Sequence, residues 1–230
     1  YPPDVTDIWD AMTSFAGVRT DEGNVAIQVN GTGAWLYQNK MPIWAWFLHE
    51  NMHPHGLAGH APFDGSPLSI MSDQAGMAHT LTSWDALILD WQTDNQFYCV
   101  SKDNLAGNTV TLSPIDSDEL GTKAVMVKLS EHEVLVIESR RQSTWSDGDH
   151  GWKGFPSGLA GVLTYIVDTK NEHSRADTQR HGTFRWPEQP SMGLDLGLLL
   201  YQGESLTTHG VTVTVSSSAN YDTVTLRKAG

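Results

Sequence analysis

One cysteine, Cys99, stands in 230 residues. It excludes an intrachain disulfide framework and any zinc site built from cysteines. Positive charge is also scarce: 14 Lys and Arg face 27 Asp and Glu, for a formal charge of −13. Phosphate contacts need clustered Lys and Arg, so nucleic acid is not an expected partner. No apolar run approaches the ~20 residues of a bilayer span, and no membrane span is expected. The chain has no G-x-S-x-G nucleophile elbow, no G-x-x-x-x-G-K-[ST] phosphate loop and no G-x-G-x-x-G dinucleotide fingerprint.

Aromatic residues are plentiful. Nine Trp, six Tyr and six Phe are too much apolar surface for a solvated, disordered chain. A chain this long can bury roughly 70–75% of its unfolded surface, so it needs no covalent staples. It starts at Tyr1-Pro-Pro-Asp4 without an initiator Met, as a processed or excised protein would. With its acidic balance and the glycosylation triplet Asn30-Gly31-Thr32, this suggests a secreted, extracellular protein.

Two regions differ in texture. Residues 1–95 hold most of the Trp and five of the seven Met. Helices are expected there over Val5–Phe15, Ile43–His53 and Ser83–Trp91, the last with Thr82 or Ser83 as N-cap and Asp85 in its first turn. Val25–Val29 reads as a short strand and Gly31-Thr32-Gly33 as a turn. Residues 96–230 read as β-rich. Thr109–Leu112, Lys123–Leu129, Glu133–Glu138 and Leu163–Val167 are candidate strands, with Ser130-Glu131-His132 as a hairpin turn. Ser205–Thr208, Val211–Val215 and Thr223–Leu226 alternate like the edges of a β-sandwich.

The sharpest chemical feature is His49-Glu50-Asn51-Met52-His53. On a helix, residues i and i+4 share a face, so two imidazoles there can grip one Zn²⁺. Glu50, beside the first ligand, can take a proton from a zinc-bound water. The structural alternative is a His-rich helix whose imidazoles are satisfied in the core or at the surface. Gly56 follows His53 by three residues, where a chain leaves a helix cheaply through positive φ. The extended zincin pattern is H-E-x-x-H-x-x-G-x-x-H followed by a Met-turn. Here its eleventh position is Gly59, and His60 comes one residue later. Ser69-Ile70-Met71-Ser72 offers Met71 for the Met-turn, with ordinary core burial as the alternative.

In their order, these pieces resemble the immune-inhibitor-A-type secreted metalloproteases, relatives of gametolysin within the metzincins. Leu81-Thr82-Ser83-Trp84-Asp85-Ala86-Leu87-Ile88-Leu89-Asp90-Trp91 is similar to the helix that follows that family's Met-turn. Val136-Ile137-Glu138-Ser139-Arg140-Arg141-Gln142 resembles a family strand, and Phe155–Gly158 with Gly161–Asp168 resembles a further segment of the family. The tail Gly203–Val215 resembles a sandwich segment common after such catalytic domains. The likeness runs from about Trp46 to the C-terminus.

The resemblance implies an α+β fold. A zincin-like catalytic part, mostly helical around the zinc helix, would precede a β-rich, sandwich-like part. It implies a zinc-dependent endopeptidase acting on protein or peptide substrates, with zinc held by His49, His53 and His60 and with Glu50 as the catalytic base. Asp64 and His79 are the reserve third ligands. Pro54 removes the amide that would bond the Glu50 carbonyl, so the helix is expected to end or kink there. Only 48 residues precede His49, few for the sheet that a metzincin places ahead of its zinc helix; an N-terminal segment or a partner chain would complete it. The competing reading is a catalytically inactive zincin-like module, for binding or structure, within a larger secreted or surface protein. A carbohydrate-binding sandwich with a chance His cluster is a third.

Asp147-Gly148-Asp149-His150-Gly151 spaces carboxylates as a Ca²⁺ loop does but lacks the later Glu of an EF-hand; a polar loop is the alternative. Trp145 and Trp152 flank it as a candidate aromatic platform, against ordinary core burial. His55 reads as a solvated loop residue or a ligand, and Tyr98 and Tyr165 are unselected candidates for stabilising an oxyanion.

Overall fold

Runs of β-branched residues recur along the described part of the chain, and strands follow from them. The computed structural model describes residues 13–30, 43–52, 55, 57, 69–71, 81–115, 117–141, 160–170, 183–185, 199–217 and 220–230. Strands β1 (Thr13–Thr20) and β2 (Gly23–Asn30) form an antiparallel hairpin, and helix α1 (Ile43–Met52) follows. Helix α2 (Ser83–Ile88) leads into β3 (Phe97–Ser101), β4 (Asn108–Leu112), β5 (Ala124–Lys128), β6 (Glu133–Arg141) and β7 (Ala160–Asp168). The short strands β8 (Thr183–Arg185) and β9 (Leu199–Leu200) precede β10 (Ser205–Thr208), β11 (Val211–Ser217) and β12 (Asp222–Lys228).

The expected α+β fold, with a mostly helical zincin-like part around the zinc helix, is corrected by this architecture. Strands make up about half of the described residues, which contain only two short α-helices. The clearest local reversal is at 13–15. A helix was expected over Val5–Phe15, yet Thr13–Phe15 opens β1 and pairs with Gln28–Asn30. β-Branched Thr13 and Val18 and aromatic Phe15 suit a paired strand, and the pairing with β2 decides. Gly23, at φ 115°, closes the hairpin in a conformation that costs other residues more.

Two larger sheets stack face to face. β3, β5, β6 and β7 lie side by side, and β7 pairs on its far edge with β8 and β9. The β3–β5 contact is parallel and the others are antiparallel. The second sheet runs β10-β11-β12-β4, all antiparallel. Alternation sorts the side chains. Val125, Val127, Leu135, Ile137, Val162 and Ile166 meet Val110, Leu112, Val213, Val215, Val224 and Leu226 in the inter-sheet core. Asp222 of β12, fully buried, bridges the sheets: Ser139 Oγ donates to it at 2.6 Å and Arg141 pairs with it at 2.7 Å.

The larger sheet is apolar on its other face too. Ala124, Met126, Val136, Leu163, Tyr165 and Val167 receive Trp84 and Leu87 of α2. Ile88 and Leu89, at the far end of α2, reach a third cluster formed by Met52, Leu57, Ile70, Met71 and Leu81. Sheet, α2 and α1 are thus linked by continuous packing. No helix among the described residues is long and apolar enough to cross a membrane.

Candidate functional site

Helix α1 carries His49 and Glu50. It ends at Met52, ahead of Pro54, which cannot donate to the Glu50 carbonyl. The Met52 carbonyl instead accepts from His55 N at 3.1 Å and Leu57 N at 3.2 Å. This closing turn folds the chain back so that Leu57 becomes fully buried against Met52.

His49 is fully buried. Its Nδ1–H donates to the Ile70 carbonyl at 2.6 Å, joining the helix to a turn twenty-one residues later. A carbonyl only accepts, so Nδ1 carries a proton in this bond. A bond of this kind fixes the orientation of the ring, as it does for a structural histidine and for a metal-ligating one. The turn itself is pinned by Ser69 Oγ, which accepts from Met71 N at 3.1 Å. Ile70 and Met71 are both fully buried and pack with Met52 and Leu81. Glu50, the next residue on α1, is half-buried. His55 is exposed. His53, His60, Asp64 and His79 lie outside the described residues, as do the 147–151 loop, Trp145 and Trp152.

A second buried polar group, absent from the sequence reading as a unit, anchors α2. Glu138 of β6 has no exposed surface. Its Oε2 accepts from Ser83 N at 2.7 Å and from Tyr165 Oη at 3.1 Å, and its Oε1 accepts from Arg140 Nε at 2.7 Å. Tyr165 Oη accepts in turn from Trp84 N at 3.2 Å, and Thr82 Oγ1 accepts from Asp85 N at 3.1 Å. Three amides that a helix start leaves without intrahelical partners are thereby satisfied. Burial, and then the Glu138 charge, push the Tyr165 hydroxyl well above its ordinary pKa, so it stays protonated and donates. Its place in this network, and the acceptance of Asn108 Nδ2 by Tyr98 Oη at 2.9 Å, assign both tyrosines structural bonds. Glu138 and Arg140 stand at alternate positions of β6, which also carries Glu133, Ser139 and Arg141, so the strand's composition alone does not single out the pair.

Asp85 completes this network. Thr82 Oγ1 donates to its Oδ2 at 2.9 Å, but desolvation dominates and raises its pKa to about 7. The unfolded side chain ionises near 3.8, so this group favours folding most below that pH. Its contribution declines as pH rises from about 4 and is lost above about 7. Asp85→Asn should flatten that slope, with urea midpoints of variant and parent converging at pH 4 and the variant ahead at pH 8. Parallel profiles for the two proteins would show Asp85 ionised in the folded state.

Comparison of the chain with protein-family models, with curated proteins and with solved structures returned no match.

Proposed function

We propose that this chain is a secreted zinc-dependent endopeptidase of the immune-inhibitor-A type, hydrolysing protein or peptide substrates. The observation that carries the reading is the fixing of buried His49 through Nδ1 by the Ile70 carbonyl, one residue before Met71, with Glu50 beside it. A ring oriented at Nδ1 by a backbone carbonyl suits zinc, and imidazole is among the metal's preferred donors. His49, His53 and His60 would hold the ion, with Asp64 and His79 as reserves for the third place. When bound, Zn²⁺ supplies Lewis acidity and lowers the pKa of water toward neutrality. Glu50 takes the proton from the attacking water and returns it to the departing amine. Ile70 orients His49, and Met71 fills the apolar floor beneath the turn.

A non-catalytic binding module is the second reading, favoured by how little helix the described residues hold around α1. Elemental analysis of the purified protein tests the metal assignment. Near-equimolar zinc is expected, lost in His53→Ala and in His60→Ala. Zinc retained in His60→Ala would transfer the third ligand to Asp64 or His79. A parent protein that binds none after dialysis against zinc buffer would remove the enzyme reading.

A further inference from the structure

A cavity of about 270 Å³ lies between α1, the C-terminal end of α2 and the segments around residues 92–96 and 115–123. Its inner wall is apolar, formed by Leu48, Leu81 and Ile115. Its rim carries Trp91, which is 56% exposed although it is a large aromatic residue. An exposed indole beside a concavity is a stacking surface for the C–H face of a ring.

The polar groups of the cavity narrow the choice of ligand. Gln92 Oε1 is buried yet has no hydrogen-bond partner among the described residues. Leaving such an acceptor unmade costs free energy, and the terminal amide torsion of Gln is broad enough to turn it toward the cavity that the residue lines. Gln96 Oε1 is already taken, accepting from Thr93 N at 3.0 Å, so this residue presents its amide N–H₂. The two glutamines thus bring both acceptor and donor groups to the cleft, a mixture that hydroxyl groups answer because each both gives and takes a hydrogen bond. Lys123, the cation in the wall, is committed elsewhere. Its Nζ donates to Pro114 O at 2.9 Å, Ser117 O at 2.8 Å and Ser117 Oγ at 2.7 Å. With those three bonds made, the lysine does not select an anion.

From the Trp91 platform, the unmade Gln92 bond and the engaged lysine, we infer that this cleft binds a neutral hexopyranose unit of a glycan. The ring stacks on Trp91 and its hydroxyls bond the Gln92 and Gln96 amides. This inference does not depend on the metal assignment.

Titration calorimetry of the whole chain with maltotetraose, chitotetraose and mannotetraose tests it. At least one of the three should bind with a Kd of roughly 1 mM or tighter, the scale of a single small site. Trp91→Ala should weaken that binding at least tenfold, and Gln92→Leu several-fold, with zinc content and melting temperature unchanged. Trp91→Phe, which keeps a stacking face, should retain most of it and serves if the alanine variant folds poorly. No binding by any of the three sugars, or binding that survives both Trp91→Ala and Gln92→Leu, would overturn the inference. Glu50→Gln should bind the sugar as the parent does, so failure of the protease reading and failure of this one are separable.

Discussion

Replacing Glu50 with Gln should lower cleavage of a denatured protein substrate by about 10²–10⁴-fold, the usual range for loss of a positioned acid–base group. The change keeps the shape of the side chain and removes only its ability to accept and return a proton. Glu50 is half-buried on α1, and its neighbour His49 is held at the Ile70 carbonyl independently of it. Zinc content should therefore stay near one equivalent and KM should move little while kcat falls. That pattern is what separates a proton carrier from a structural residue. An inert module would show no proteolysis in either protein, and equal activity in both would remove Glu50 from the chemistry.

The second large effect concerns the α2 anchor. Glu138→Ala removes the acceptor for Ser83 N, Tyr165 Oη and Arg140 Nε together. Arg140 is 5% exposed, so its guanidinium would be left as an uncompensated buried charge. Breaking a buried pair in this way costs about 3–5 kcal/mol. For a chain with the usual ~5–15 kcal/mol of stability, that is a large fraction. Urea unfolding should show it as a lower midpoint with little change in slope. Glu138→Leu combined with Arg140→Met should recover part of the loss, because no lone charge then remains inside. If Glu138→Ala unfolds within ~0.5 kcal/mol of the parent, the network contributes little and α2 is held by Trp84 and Leu87 alone.

Local signals served well where one period governs a segment. Alternation over 109–112 and 211–215 corresponds to β4 and β11, whose inward residues Val110, Leu112, Val213 and Val215 all enter the inter-sheet core. The Thr82 cap marked the start of α2, because its oxygen accepts from Asp85 N in the folded chain. The end of α1 was legible through Pro54. What failed was the fold class, inferred from the order of motifs around His49. Short motifs report the chemistry of a few side chains, whereas layer architecture is decided by pairings distant in sequence, such as Thr13 with Asn30 or Asp222 with Leu112. The Glu138 network was illegible for the same reason: its members come from residues 82–85, 138–140 and 165, and nothing local announces that they meet. The His49–Ile70 bond joins residues twenty-one apart through a backbone oxygen, which leaves no mark on residue identity.

The lysine enclosed at the cleft wall has a practical consequence. Lys123 is 2% exposed and its ammonium is surrounded by oxygens of Pro114 and Ser117. An amine-reactive tag added to the native protein will modify exposed Lys228 and Lys128 at once and spare Lys123 until the 114–121 segment lets go. Mass-spectrometric tracking of that single amine therefore gives a built-in clock for how often the backbone around Pro114 and Ser117 releases it, with no engineered probe.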